Sequence, residues 1–255
     1  MKKVRPQVLI TAGNTREYID SVRWWSNIFT GQTGLDIAYA MSSVADVCLL
    51  TSNLEHVNEL IGGTKPKIEA YYFESHAHLM KMIPWRLSTR KYNAVFMTAA
   101  VSDYVPDGAY TVLSRKEATD CGQEVWVVEK VRQPKISGAH QTLAILGKPT
   151  TKVIDQFRTV WKYHGLLFKF KLEVGLDEAE LIAVAQASRE HSHADVIVAN
   201  TLEMVHGPEP SALIIDQHTT LKVPRRELAQ ALKDQLLQRL SAQGAAGKGH
   251  TPRGR

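Results

Sequence analysis

The chain has 255 residues, of which 44% are hydrophobic and 22% are charged, a composition typical of a globular protein with a sizeable core. It contains no apolar run of about eighteen residues, so a membrane-spanning helix is excluded, and we expect a cytoplasmic protein without a membrane partner. Of the formal net charge of +5, three positive charges come from Lys248, Arg253 and Arg255 near the end of the chain, so we expect no nucleic-acid partner.

Cysteine and histidine usage indicates no metal site. The two cysteines, Cys48 and Cys121, lie in an apolar run and in a polar turn, which favours inert thiols over a disulfide. The histidines of the pairs His76/His78 and His191/His193 are two residues apart, and on a helix this spacing points the two rings about 200° apart. We therefore expect neither a structural disulfide nor a metal bound by the protein alone.

The first hundred residues alternate apolar runs with helical patterns. The periodicity predicts strand 7–12, helix 34–44, strand 46–51, helix 53–61, strand 67–73, helix 75–90 and strand 94–101. Such alternation predicts parallel strands joined by right-handed crossovers. The predicted fold class is therefore α/β, with a Rossmann-like, doubly wound and mostly parallel sheet.

The middle of the chain breaks this alternation. Residues 110–113 and 124–131 have the character of strands and are separated by the polar stretch 114–123, so we predict a β-excursion over about 107–141 that would suit a dimer contact. The alternation then resumes with strand 142–146, helix 150–162, strand 166–173, helix 177–190, strand 194–199, a hairpin near 212–223 and helix 225–240. We predict one domain over 1–240 and a disordered basic tail over 241–255.

A glycine-containing segment, residues 26–34, runs directly into the first predicted helix. Glycines before a helix N-terminus leave backbone amides and the positive end of the helix dipole free for an anion. The segment has neither the Gly-Lys-Ser/Thr end of a Walker loop nor the position of a dinucleotide fingerprint, whose glycines follow the first strand directly. A simple capped turn remains the alternative to a phosphate site.

Two further segments carry polar residues after strands. Asp103 follows a strand that ends in alanines, where a carboxylate can accept hydrogen bonds from a ribose, a base or a substrate amide; the alternative is a residue that caps the next turn. Lys135 lies in the basic segment 133–138, where it can stabilise a triphosphate or the charge that develops in acyl or phosphoryl transfer. The alternative for Lys135 is a solvated side chain.

Several short segments share their order and spacing with one family of enzymes. They are Thr11-Ala12-Gly13-Asn14-Thr15-Arg16-Glu17, Ile19-Asp20, Val22-Arg23, Ser26-Asn27, Gly31 to Gly34, Ala99-Ala100-Val101-Ser102-Asp103-Tyr104, Phe170-Lys171-Leu172-Glu173 and Val198-Ala199-Asn200. These segments resemble those of the phosphopantothenoylcysteine synthetases, also called phosphopantothenate–cysteine ligases, of coenzyme A biosynthesis. The resemblance covers residues 7–240.

The resemblance implies a two-step ligation. ATP or CTP, accompanied by Mg²⁺, activates the carboxylate of 4′-phosphopantothenate as an acyl nucleotidylate with release of pyrophosphate, and the amine of cysteine then displaces the nucleotide. The resemblance also implies a homodimer. Because the synthetase motif begins almost at residue 1, we expect no flavin.

The resemblance also assigns roles to individual residues. Asn27 would serve the acyl-nucleotide intermediate, Lys135 the nucleotide phosphates, and Asp103 and Phe170 the nucleoside. The remaining residues that it implies at the nucleotide and its phosphates are Gly13, Asn14, Thr15, Gly31, Thr33, Gly34, Ala99 and Ala100. Those that it implies at the substrate are Arg23 and Asn200.

The chain departs from the family pattern where phosphate contacts are expected. It carries Gln32 where the family has Lys or Arg, and Ser137 and Gly138 replace two lysines that usually follow Lys135. A non-catalytic or altered-substrate relative of the ligase therefore remains an alternative. A nicotinamide-dependent reductase is a further alternative, although the chain after Gly13 lacks the spaced glycines that bind a pyrophosphate. The choice between ATP and CTP stays open.

Overall fold

A computed structural model describes residues 4–62, 68–117 and 122–246, and the structural statements below concern these residues. The strands, in chain order, are β1 (Gln7–Ala12), β2 (Arg16–Tyr18), β3 (Trp24–Ser26), β4 (Asp46–Thr51), β5 (Ile68–Tyr72), β6 (Ala94–Met97), β7 (Tyr104–Glu117), β8 (Glu124–Lys130), β9 (Leu143–Pro149), β10 (Leu166–Glu173), β11 (Val196–Thr201), β12 (Ser211–Ile215) and β13 (Thr220–Pro224). The helices are α1 (Gln32–Ser42), α2 (Leu54–Gly62), α3 (His76–Thr89), α4 (Val153–Thr159), α5 (Glu178–His191), α6 (Leu202–His206) and α7 (Leu228–Ala246). A short 3-10 turn, Arg225–Glu227, precedes α7.

Eight strands form one sheet in the order β13-β12-β11-β10-β6-β1-β4-β5. The six strands from β11 to β5 are parallel, whereas β12 and β13 are antiparallel additions at one edge. If the parallel strands are numbered along the chain, their order from β5 to β11 is 3-2-1-4-5-6, which is the order of a doubly wound sheet. The predicted fold class is therefore confirmed.

Apolar side chains of successive strand residues are buried on opposite faces of this sheet. In β1, Val8 and Ile10 pack in the same cluster as α1 and α7, whereas Leu9 packs with α3 and α4. This period of two is what a strand covered by helices on both faces requires. On α7, Leu232 and Leu236 are fully buried in the first of these clusters, so these two leucines, four residues apart, place one side of the last helix against the core.

The β-excursion is larger than the sequence analysis predicted. β7 is 14 residues long and pairs with β8 on one side and β9 on the other in a separate antiparallel sheet. The prediction that strand 142–146 resumes the parallel alternation is wrong, because β9 pairs with β7 from Tyr104 opposite Pro149 to Thr111 opposite Leu143. A short apolar run does not indicate which sheet it joins, since its partner can lie far away in the sequence.

Other element boundaries differ for local reasons. The hairpin of β2 and β3 was not predicted, because strands of three residues are too short to show a period. The predicted helix 150–162 is limited to α4. Helix α7 continues to Ala246, six residues into the predicted tail, because alanine and glutamine there favour helix; residues 247–255 lie outside the described part. Cys48 is a buried free thiol, and Cys121 also lies outside the described residues.

Candidate functional site

A cleft lies at the carboxyl ends of the parallel strands, next to the neighbouring strands β1 and β6 at the centre of the sheet. Such a switch point is where doubly wound sheets bind ligands, because the chain leaves the two neighbouring strands toward opposite faces. Two adjacent cavities form the cleft. The glycine-side cavity has a volume of about 200 Å³ and lies on the face of α1 and α7, and the lysine-side cavity has a volume of about 530 Å³ and lies on the face of α4 and α5.

The two cavities share a wall at the ends of β6 and β10. The residues that line both are Phe29, Ala99, Ala100, Phe170, Lys171 and Leu172. Both cavities are lined by the small side chains of Ala99 and Ala100, so the two cavities are neighbours at this edge of the sheet. The predicted site residues Ala99, Ala100 and Phe170 thus lie at the centre of the cleft.

Glycines bring two loops of the glycine-side cavity into direct backbone contact. Gly31, the N-cap of α1, has φ +88°, and a Cβ there would lie 2.2 Å from the backbone nitrogen of Gly13. A Cβ on Gly34 would lie 2.6 Å from the Cβ of Ala12. Only a residue without a side chain allows this close approach of the two loops. The approach brings the first turn of α1 to the border of the cavity, and the amides of this turn have no intrahelical acceptors.

Hydrogen bonds hold the strand ends together beyond the sheet. The backbone amide of Ala100 donates to the carbonyl of Gly13 at 2.8 Å, and that of Thr15 donates to the carbonyl of Ala100 at 3.2 Å. The side-chain amide of Asn14 donates to the main-chain carbonyl of Asn27 at 2.6 Å. Asn14 therefore fixes the backbone of Asn27, and Asn27 lines the lysine-side cavity.

Four of the predicted site residues line neither cavity: Asn14 and Lys135, and also Thr15 and Arg23. Thr15 is fully buried, and its hydroxyl accepts a hydrogen bond from the backbone amide of Ser102 at 2.9 Å. Arg23 forms an ion pair with Asp20 at 2.7 Å and donates to the carbonyl of Ile136 at 3.1 Å. Both residues have structural contacts here, and their ligand contacts stay predictions.

Asp20 anchors the segment that carries Lys135. Its side chain is 1% exposed and accepts hydrogen bonds from the backbone amides of Val22, Arg23 and Ile136. Burial alone would raise the pKa of Asp20, but these three donors and the Arg23 guanidinium hold this pKa below its usual value. Lys135 itself is exposed and lines neither cavity, so the structure does not bring it to the cleft.

Charged side chains line the lysine-side cavity. Asp103, a predicted ligand, forms an ion pair with Lys152 at 2.5 Å, and both side chains are more than half exposed. The ammonium of Lys169 donates to the carbonyl of Ser188 at 2.8 Å, and burial lowers the pKa of Lys169. Sequence analysis missed both lysines, because a single lysine on a strand or in a loop has no motif that distinguishes it from a solvated one.

The glycine-side cavity contains an arginine that sequence analysis also missed. The Nη2 of Arg225 donates to the hydroxyl of Thr33 at 2.6 Å, across 192 residues of sequence. No local pattern signals a contact over that separation. The other cation of this cavity, Lys171, forms an ion pair with Glu173 at 2.6 Å. Asn200, a predicted substrate residue, lines the same cavity.

Residues 4–62, 68–117 and 122–246 contain no group of three or more His, Cys, Asp or Glu side chains that could hold a metal ion. Within these ranges, no helix combines the length and the apolar character needed to cross a bilayer. The carboxylates that line the cleft are Asp103 and Asp155, and Asp103 is paired with Lys152. A divalent cation such as Mg²⁺ therefore fits here only where a bound polyphosphate supplies further oxygen ligands.

The fold and the cleft define a doubly wound α/β protein with a ligand site at the switch point of its sheet. The chain matches the family model "DNA/pantothenate metabolism flavoprotein C-terminal domain" over residues 4–242. It is 31% identical over 234 residues to the coenzyme A biosynthesis bifunctional protein CoaBC of Thermococcus kodakarensis, a match that covers 90% of this chain and 50% of the relative. The chain thus spans about half the length of the curated relatives it matches.

Solved structures agree with this match. The DNA/pantothenate metabolism flavoprotein from Streptococcus pneumoniae superposes with a TM-score of 0.74 at 26% identity, over 93% of this chain and 99% of that one. The C-terminal domain of a CoaBC protein superposes with a TM-score of 0.64 at 20% identity, over 94% of this chain and 98% of that one, which is a likeness of fold. The chain belongs to the DNA/pantothenate metabolism flavoprotein C-terminal domain family, which is the phosphopantothenoylcysteine synthetase family that its motifs resemble.

Proposed function

We propose that the protein is a coenzyme A biosynthesis ligase that joins 4′-phosphopantothenate to cysteine through an acyl nucleotidylate. The observation that carries this proposal is that two neighbouring cavities share Ala99 and Ala100 in their linings. A ligase of this type must bring the α-phosphate of a nucleotide to a carboxylate that approaches from elsewhere. A cleft with one compartment for each reactant, side by side at small side chains, meets that requirement.

In this proposal the glycine-side cavity binds the triphosphate of ATP or CTP. The first-turn amides of α1 and the positive end of its dipole point at the phosphates, and the ring of Phe170 packs against the nucleoside. Mg²⁺ would enter bound to the nucleotide substrate, and it would supply positive charge that neutralises the phosphates.

The lysine-side cavity binds the acyl substrate in this proposal, with Asn27 close to the shared wall. As the amine of cysteine attacks the acyl nucleotidylate, negative charge develops on the acyl oxygen. In this proposal the side-chain amide of Asn27 donates a hydrogen bond to that oxygen. The hydrogen bond from Asn14 goes to the main-chain carbonyl of Asn27, so it fixes the backbone of Asn27 without occupying the side-chain amide. The resemblance implies a nucleoside contact for Asp103, but Asp103 lines the lysine-side cavity, so in this proposal its carboxylate accepts hydrogen bonds from the amide and hydroxyl groups of the acyl substrate.

In this proposal the role of Lys135 is linked to the formation of a homodimer. Since Lys135 lies outside both cavities, it contacts the nucleotide only if its segment moves or if a second copy of the chain supplies it. The separate sheet of β7, β8 and β9 exposes apolar side chains, among them Leu113, Trp126 and Leu146. Burial of these side chains against a second copy would stabilise a homodimer.

The test is pyrophosphate release by the purified protein with 4′-phosphopantothenate, cysteine, Mg²⁺ and either ATP or CTP. We expect release that requires phosphopantothenate with one of the two nucleotides. Asn27→Ala should slow product formation about 100- to 1,000-fold, the usual effect of losing one donor to a developing oxyanion, and the acyl nucleotidylate should accumulate. Asn58→Ala, on the exposed surface of α2, is the matched control and should leave the rate unchanged.

Two results would contradict the proposal. Nucleotide binding without any pyrophosphate release would indicate a non-catalytic relative or a different acyl substrate. Equal rates for Asn27→Ala and Asn58→Ala, in the presence of turnover, would remove the assigned role of Asn27 while leaving a ligase.

A further inference from the structure

Arg225 reaches the glycine-side cavity from the far end of the chain. It opens the 3-10 turn between β13 and α7, and its backbone amide donates to the carbonyl of Pro210 at 2.7 Å. Its side chain is half-buried and donates through Nη2 to the hydroxyl of Thr33 at 2.6 Å. Since Thr33 lies in the first turn of α1, the guanidinium lies one side chain away from the free amides of that turn.

The charge of Arg225 has no counter-ion among the described residues, in which no ion pair includes it. The other cation of the cavity, Lys171, is paired with Glu173 at 2.6 Å. The next residue along the chain, Arg226, is 84% exposed and paired with Glu227. A half-buried guanidinium with one side-chain hydrogen bond retains several N–H donors, and its natural complement is an anion with more than one oxygen.

We infer that Arg225 binds the polyphosphate of the nucleotide in the glycine-side cavity, together with the first-turn amides of α1. The inference rests on the proposed function for the identity of the ligand as a nucleoside triphosphate. Two neutral features of the cavity, the amides and the hydroxyl of Thr33, and one fixed positive charge then surround the phosphates. Because a guanidinium presents its donors as a planar fork, it can hold two phosphate oxygens at once.

A purely structural role is the competing explanation, since the bond to Thr33 also ties the start of α7 to α1. The two roles differ in which ligands they affect. A structural defect weakens binding of every ligand of the cavity, including a nucleoside without phosphates. A lost phosphate contact weakens binding of nucleotides and of inorganic tripolyphosphate and spares the nucleoside.

Isothermal titration of the full chain with ATP, CTP, the two nucleosides and inorganic tripolyphosphate tests the inference. Arg225→Ala should raise the Kd for the preferred triphosphate and for tripolyphosphate about 10- to 100-fold, the range for one lost charge-assisted contact. Arg225→Lys should lie between wild type and Arg225→Ala. Arg226→Ala is the matched control, and its Kd values should stay within about twofold of wild type.

A rescue variant keeps the test decisive if Arg225→Ala also loosens the fold. Gln32 is the first residue of α1 and lines the same cavity, so Gln32→Lys in the Arg225→Ala background returns a cation without restoring the bond to Thr33. We expect it to recover most of the lost tripolyphosphate affinity. No recovery together with weaker nucleoside binding would overturn the inference, and so would an Arg225→Ala protein that binds like Arg226→Ala. If wild type binds none of the phosphate ligands, the proposed function fails and the inference fails with it.

Discussion

Replacing Gly31 by alanine tests whether the cleft depends on the backbone contact between its two glycine loops. At φ +88°, an L-residue costs about 1–2 kcal/mol, which is offset by about 0.4–1 kcal/mol because alanine restricts the unfolded chain. The new Cβ would also lie 2.2 Å from the nitrogen and 2.7 Å from the Cα of Gly13. The loops would have to separate by on the order of 1 Å to reach normal contact distances, at a cost of about 1–3 kcal/mol.

We therefore expect Gly31→Ala to lower the free energy of unfolding by about 3 kcal/mol. Gly175→Ala is the matched control, because Gly175 also has a positive φ, +72°, but a Cβ there would have nothing within 4 Å. Only the backbone terms apply to it, and the expected loss is about 1 kcal/mol. The difference of about 2 kcal/mol between the two variants isolates the steric contact of the glycine loops.

Urea unfolding followed by tryptophan fluorescence measures both variants against wild type, with comparison restricted to curves of equal m-value. The proposed nucleotide binding should also be lost in Gly31→Ala and kept in Gly175→Ala, since only the first displaces the first-turn amides of α1 that border the glycine-side cavity. If Gly31→Ala costs no more than Gly175→Ala, the loops can separate freely and the argument from close backbone contact is wrong.

Phe168→Ala should cost about 3–5 kcal/mol in urea unfolding, because this fully buried ring stacks on a neighbouring phenylalanine at 4.1 Å between centroids; the exposed Tyr104→Ala should cost less than about 1 kcal/mol, and equal losses would contradict the packing argument. Since the folded-state pKa of Asp20 is lowered, its contribution to stability is present above the unfolded pKa of about 4 and is lost as the pH falls through the folded value. The stability gap between wild type and Asp20→Asn should therefore be constant above about pH 5 and narrow as the pH falls below about 4, and a gap independent of pH would refute this role. Lys152→Ala should change stability by less than about 1 kcal/mol, because its pair with Asp103 is exposed, while weakening binding of the proposed acidic acyl substrate, 4′-phosphopantothenate; unchanged binding of this compound in a titration would count against the proposed assignment of the lysine-side cavity.

Local periodicity was sufficient to predict most of the central sheet. β1 and β4 are continuous apolar runs in the sequence and pair in register from Gln7 opposite Asp46 to Ala12 opposite Thr51. The glycine loop could also be predicted, because Gly31 stands directly before a helical pattern and a helix N-terminus has a defined need for acceptors. In both cases the information lies within about ten residues of the feature.

Features set by distant partners could not be predicted. Arg225 directly follows β13, the edge strand of the sheet on which α1 packs, and it contacts Thr33 of α1. Nothing near either residue in the sequence indicates that contact. A sequence motif predicts that Thr15 and Arg23 contact the ligand. In the structure their side chains form hydrogen bonds with the backbone of Ser102 and Ile136, which both follow β6 in the sequence. A motif identifies residues near a site, but which neighbour each side chain meets is decided by tertiary packing.

The cleft draws on almost the full described length of the chain, from Gly13 to Arg225. During synthesis, β1 emerges first and must wait for β6 to form the centre of the sheet, and the helix that follows Arg225 emerges last. Contacts of such long sequence separation also form slowly in folding. A chain that lacks its last helix would still contain α1 and its glycine loop without a complete ligand site. The proposed nucleotide affinity would therefore be a property that only the fully assembled protein acquires, and its appearance during refolding would report the final step of assembly.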